Sequence, residues 1–170
     1  MDRLAALGRT GVLKTVPKGF TPGSEVANLS ILGYDIHKVY EGRGALEAAA
    51  MGVELQPGDL AIRCNLITIQ KDTITSNSAG RISTEEAAKL IDFINKNIGN
   101  KKVRFYAGTQ YRHLLVIKNG SKKIDCTPPH DHLSEPFMPL MAKATAKDAE
   151  ETANLINNLI IKSQELLANH

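Results

Sequence analysis

Apolar residues return at helical spacing in several stretches of the 170-residue chain. Asp2 to Leu7 reads as a short helix ended by Gly8, and Val26, Ala27, Leu29 and Leu32 recur behind a Gly/Pro loop and Ser24. Gly44 to Met51 is an Ala-rich helix stopped by Gly52. Ser83-Thr84-Glu85-Glu86 supplies a hydroxyl cap and first-turn acids for a helix whose buried stripe is Ala87, Leu90, Ile91, Ile94 and Ile98. A last, long helix runs from Thr145 with Ala149, Ala153, Ile156, Leu159 and Ile160. Between these lie β patterns. Val12 to Val16 predicts a short strand closed by Pro17. Leu60 to Ile69 predicts one long strand, with Ile62, Cys64, Leu66 and Thr68 on one face and Arg63, Asn65, Ile67 and Ile69 on the other. Asp72 to Thr75, Val103 to Tyr106 and His113 to Ile117 predict further strands. Asn119-Gly120 is a turn signal that predicts a hairpin into Lys122 to Cys126. Thr127 to Pro139 holds four of the seven prolines and reads as a loop. Strands broken by two long helices predict an open α/β sandwich over about residues 52–170.

Composition narrows the classes. Hydrophobic residues make up 42%, enough for a real core. A net charge of +3 with 5% aromatics gives no basic, aromatic-laced surface for nucleic acid. No apolar run approaches the roughly 20 residues of a membrane span. The opening residues are amphipathic and carry an acid, unlike a signal peptide, so a cytoplasmic protein is expected. Cys64 and Cys126 do not form a metal-type pair.

A few residues carry chemistry. Ser24 falls at the N-cap or first turn of its helix, where free N–H groups and the dipole favour an anion. It is either a cap or a nucleophile whose phosphorylated form the helix would stabilise. Arg63 and Asn65 share a strand face with two isoleucines, which fits either a solvated edge or a pair aimed at an anionic ligand. Arg112, beside His113 at a strand entrance, could join Arg63 as a guanidinium clamp. His113 itself fits a structural role as well. His130-Asp131-His132 has a possible metal spacing, but no fourth ligand is evident nearby, and a substrate-facing or hinge loop is the preferred reading. Glu41 and Arg43 could bring charge near Ser24 or pair with each other.

The run Pro22-Gly23-Ser24-Glu25-Val26-Ala27-Asn28-Leu29-Ser30-Ile31-Leu32-Gly33-Tyr34-Asp35 resembles the nucleophile segment of archaeal-type cofactor-independent phosphoglycerate mutases, of the alkaline phosphatase superfamily. The similarity continues through Tyr40-Glu41-Gly42-Arg43-Gly44-Ala45-Leu46-Glu47-Ala48-Ala49. It returns at Gly58-Asp59-Leu60-Ala61-Ile62-Arg63-Cys64-Asn65, at Tyr111-Arg112-His113 and at Thr127-Pro128-Pro129-His130-Asp131. The resemblance implies that residues 1–42 are part of the alkaline-phosphatase-like core and 43–170 an inserted α/β domain.

It also implies interconversion of 3- and 2-phosphoglycerate through a phosphoserine at Ser24, with two divalent ions, manganese in this family. Arg63, Asn65, Arg112, His113, His130 and Asp131 are then substrate-binding candidates. Of the family's metal ligands only Ser24 matches within this chain, so a fragment is expected, inactive alone and without a tightly bound metal. Val12, Leu13, Val16, Val26, Leu29 and Leu32 would then be exposed or pack against a second copy. Two other readings stand beside this one: a different phosphotransferase or phosphatase of the superfamily, and a non-catalytic binding or oligomerisation module.

Overall fold

The structure is a computed structural model and describes residues 2–168. The chain divides into two units, Met1–Gly42 and Arg43–His170.

The first unit is helical. α1 (Asp2–Leu7) has no buried residue, and the Gly8 amide closes it on the Leu4 carbonyl at 2.8 Å. α2 (Ser24–Ile31) ends where the Gly33 and Tyr34 amides turn back to the Ser30 and Leu29 carbonyls, both at 3.0 Å. α3 (Ile36–Val39) has no counterpart in the hydrophobic pattern. It is started by the Asp35 carboxylate, which accepts from the His37 amide at 3.2 Å. Phe20 stands edge-on to both His37 and Tyr40, with ring centroids 5.0 and 5.9 Å away. The strand predicted over Val12–Val16 does not form; these residues are irregular and Val12 is fully exposed. An isolated strand has no ladder to satisfy its backbone, and the unit offers none. Val12, Leu13 and Leu32 are exposed as expected, but Val26 is not: it and Ile36 are each only 2% exposed.

The second unit is a three-layer α/β arrangement. Its centre is an antiparallel sheet in the order β1-β5-β4, from β1 (Leu60–Asn65), β4 (Val103–Tyr106) and β5 (Arg112–Ile117). Register decides which side chains share a face. Leu60, Ile62, Leu115, Ile117, Val103 and Phe105 point to one side. There they pack with Ala87, Ile91 and Ile94 of α5 (Thr84–Ile98) and Ile156 and Leu159 of α6 (Glu150–Ala168). Ala61, Leu114, Val116 and Tyr106 point to the other side, against Ala48 of α4 (Arg43–Ala50). The Ser83 hydroxyl caps α5 on the Glu86 amide at 3.2 Å, as its sequence predicts. Gly52, with φ +67°, ends α4 as expected, and the Val53 amide returns to the Ala48 carbonyl at 2.8 Å.

Two β expectations are corrected. Leu60–Ile69 is not one strand. The chain leaves the central sheet at Leu66, whose amide bonds the Tyr111 carbonyl at 2.8 Å. It then starts a separate hairpin of β2 (Thr68–Gln70) and β3 (Thr73–Ser76). Lys71 and Asp72, both at positive φ, form that hairpin's turn. Nor does Asn119-Gly120 return a strand onto β5. Both edges of β5 are already taken by β1 and β4, so β6 (Ile124–Asp125) pairs instead with β7 (Lys143–Ala144). The proline-rich stretch is a loop with short 3-10 turns, strapped to β3 by the Ile74 amide on the Glu135 carbonyl (3.0 Å) and the Ser134 amide on the Ile74 carbonyl (2.8 Å). A 3-10 turn, Lys147–Ala149, leads into α6, which begins five residues beyond the predicted start at Thr145.

Candidate functional site

Ser24 is the first residue of α2. The cap position belongs to Gly23, extended at φ −159° and ψ 149°, whose carbonyl accepts from the Ala27 amide at 3.0 Å. The serine hydroxyl is therefore not committed to capping, and the residue is exposed. First-turn amides and the helix dipole make this a place where negative charge is stabilised. Glu25 beside it lies over Gly23 and accepts from the Tyr40 hydroxyl at 3.5 Å.

In the second unit, the α4 face of the sheet becomes polar at one end. Asn65 and Arg112 are opposite residues of the β1–β5 ladder, and Arg63 lies on the same face two positions from Asn65. The Arg63 Nε donates to Asn65 Oδ1 at 3.4 Å, and its Nη1 lies 3.8 Å from Glu47 Oε1 on α4. The same Glu47 oxygen is 3.8 Å from Arg43 Nε, one turn back. Arg112 is held by Tyr111: its guanidinium sits 5.0 Å from the ring centroid and Nη2 donates to the hydroxyl at 3.2 Å. The Arg63 side chain is 19% exposed. Burial, then the positive charge of Arg43, holds its pKa below the ordinary arginine value; Glu47 opposes this and Arg112 adds to it. Three guanidinium groups and one carboxylate thus share this end of the face, with Arg63 and Glu47 partly buried and Arg43 and Arg112 exposed, an arrangement suited to binding an anion.

The other candidates are placed apart from this cluster. His113 alternates to the opposite face and is 2% exposed. Its Nδ1 accepts from the Gly108 amide at 3.1 Å, which puts the neutral ring's proton on Nε2, a buried atom without a partner among the described residues. Burial drops its pKa to about 4. His130 and Asp131 are exposed on the proline-rich loop and face each other at 3.6 Å, and His132 pairs with Glu135 at 2.9 Å. Among the described residues, no three His, Cys, Asp or Glu side chains gather as a metal-holding group. Divalent ions need several anionic or imidazole ligands, and an uncharged serine hydroxyl is not such a set; the donors of this chain do not fit the metal pair that the resemblance implies. The sequence reading missed Glu47 as the shared partner of Arg43 and Arg63. The signal was the i,i+4 spacing of Arg43 and Glu47 on an Ala-rich helix.

The chain is mixed α/β, with a helix-start serine that lies inside the Gly23 cap and a sheet face that carries Arg63 and Arg112 beside Arg43 of α4. Comparison with known proteins carries this further. Residues 5–170 match the family model for 2,3-bisphosphoglycerate-independent phosphoglycerate mutase, and the chain belongs to that family. It is 54% identical over 136 residues to the 2,3-bisphosphoglycerate-independent phosphoglycerate mutase of Methanosarcina acetivorans, covering 79% of this chain and 34% of that protein. It is 44% identical to 2,3-bisphosphoglycerate-independent phosphoglycerate mutase 2 of Methanothermobacter thermautotrophicus, over all of this chain and 41% of the relative. The solved cofactor-independent phosphoglycerate mutase from Thermoplasma acidophilum superimposes with a TM-score of 0.68 at 30% identity, covering 88% of this chain and 41% of that one. The chain thus spans between 34% and 41% of the length of these proteins. No helix among the described residues is long and apolar enough to cross a membrane.

Proposed function

We propose that the chain carries the phosphoryl-accepting segment and the substrate-binding domain of a phosphoglycerate mutase, which interconverts 3- and 2-phosphoglycerate in glycolysis through a phosphoserine intermediate. The convergence of Arg43, Arg63 and Arg112 around Glu47 and Asn65 supports this reading most directly. In it, residues 1–42 belong to an alkaline-phosphatase-like core and 43–170 to an inserted domain. Arg63, Asn65 and Arg112 take the charged groups of the substrate, and His130 and Asp131 face it from their loop. Buried His113 has no substrate contact in this reading and supports the strand that carries Arg112. Ser24 accepts the phosphoryl group at a helix start that favours its charge. Divalent metal, manganese by family resemblance, belongs to this reading as a cofactor of the whole mutase, and no step is assigned to it in this chain. The setting is cytoplasmic, with neither nucleic acid nor membrane as partner.

Titration calorimetry of this chain with 3-phosphoglycerate tests the reading. Arg63→Ala and Arg112→Ala should each weaken binding by about 1.5–3 kcal/mol, the loss of a charge-assisted bond. Unchanged affinity in both returns the arginines to a solvated surface. A mutase, a phosphatase and a phosphotransferase separate by product: isomerised phosphoglycerate, free phosphate, or transfer to or from a nucleotide. The exposed Leu4, Leu7, Val12, Leu13, Ile31 and Leu32 favour self-association as an accompanying property, which sedimentation velocity reads directly.

A further inference from the structure

We propose that Glu47 is a positioning residue of the arginine face, holding Arg43 and Arg63 side by side so that, with Arg112, they receive a doubly charged phosphomonoester. The inference rests on the anion-binding reading above and adds to it a residue that repels the ligand it helps to bind.

One oxygen carries the geometry. Glu47 Oε1 stands 3.8 Å from Arg43 Nε on its own helix and 3.8 Å from Arg63 Nη1 on β1. Two guanidinium groups held to one oxygen repel, and the carboxylate between them offsets part of the cost of keeping partly buried Arg63 ionised beside Arg43. Asn65 holds Arg63 from the strand side through Nε, so this side chain is fixed from two directions. Arg112 is fixed separately by the ring and hydroxyl of Tyr111. The cluster keeps two positive charges after Glu47 is counted, which matches the charge of about −2 on a phosphomonoester above its second pKa.

Backbone packing makes the reach possible. α4 lies so close to β1 that a Cβ on Gly44 would come within 1.9 Å of the Ala61 carbonyl oxygen. Only a glycine permits that approach. It places Glu47, nearly one turn further along α4, level with Arg63, two residues beyond Ala61.

The competing account is that Glu47 only neutralises charge. The two accounts differ in sign. If Glu47 only neutralises, removing it deletes a like charge near the anion, and binding tightens. If it positions, the arginines separate and binding weakens. Titration calorimetry of the full chain, with 3-phosphoglycerate and inorganic phosphate as probes, reads this sign.

Glu47→Ala should weaken 3-phosphoglycerate binding about tenfold, with Glu47→Gln, which keeps an acceptor oxygen at the same reach, falling between it and the unaltered chain. Melting curves should stay within a few degrees of each other, since Glu47 is partly exposed and Ala favours the helix. Affinity equal to or tighter than that of the unaltered chain in Glu47→Ala overturns the proposal. Should that variant fail to fold, the sign in Glu47→Gln decides in the same way. Failure of the underlying reading looks different: the unaltered chain would bind neither probe, or Arg63→Ala would bind as well as the unaltered chain, and either result withdraws the positioning role too.

Discussion

The side-chain amide of Asn95 exchanges two hydrogen bonds with the backbone of Phe105: Nδ2 donates to the carbonyl at 2.7 Å and Oδ1 accepts from the amide at 2.9 Å. β4 is an outer strand of the central sheet, and the asparagine of α5 stands where the next strand's peptide would be. Asn157 of α6 repeats the device on Ala142, accepting from its amide at 2.9 Å and donating to its carbonyl at 3.0 Å. Asn95→Ala should therefore destabilise the fold by about 2–3 kcal/mol, since it leaves two partly buried backbone groups unpaired. Denaturant unfolding of the variant measures this, and a loss below about 0.5 kcal/mol would mean that water replaces the amide without penalty.

Gly44→Ala should cost about 2 kcal/mol or more, because the new methyl meets backbone at 1.9 Å and α4 must move off the sheet. Gly11→Ala is the matched control: nothing lies within 4 Å of its added Cβ, and a change within about 0.5 kcal/mol is expected. Equal effects in thermal melts of the two variants would contradict the close approach of α4 to β1.

His113 sets an acid limit. Burial in the fold holds its pKa at about 4, below the ordinary imidazole value of 6.5. The unfolded chain therefore takes up a proton first as pH falls. Stability from this group is complete above about pH 6.5, declines between 6.5 and 4, and is level below that, a total of about 3 kcal/mol. Unfolding free energies across that range should show the decline in the unaltered chain and a flatter profile in His113→Gln. Parallel profiles would assign the acid lability to other groups.

Ser24→Ala should abolish phosphoryl transfer in a mutase carrying this segment while leaving its melting temperature unchanged, because the hydroxyl takes no part in capping α2. Turnover above about a tenth of the original would remove Ser24 from the acceptor role, since a nucleophile has no partial substitute in alanine.

Helix periodicity was read well from sequence where an element buries one face, as in α5 with its Ser83 cap and its Ala87, Ile91 and Ile94 stripe. Pairing was not. Asn119-Gly120 carries a turn signal, and Asn119 does turn at φ +53°, but which strand β6 joins depends on β1 having already taken the edge of β5. Alternation placed Arg63 and Asn65 on one face correctly, and the ladder adds Arg112 to it. The same period puts His113 on the far face, so adjacency in the Tyr111-Arg112-His113 motif did not mean a shared site. Glu47 was hidden because its partner Arg63 comes from another element, and no local spacing encodes that contact.

The β1–β5 ladder has a further consequence in time. Asn65 pairs with Arg112, and Leu60 with Ile117, so β1 waits for a partner roughly fifty residues downstream, a non-local closure of the slow kind. During synthesis at about 5–20 residues per second, α4 and β1 would be complete for several seconds before β5 follows. In that interval β1 has no ladder partner, because β5 is the strand that pairs with it, so its backbone and the side chains it carries stay unsettled. Arg43, Glu47, Arg63 and Asn65 are thus made early and set late, when the strand that carries Arg112 closes the sheet.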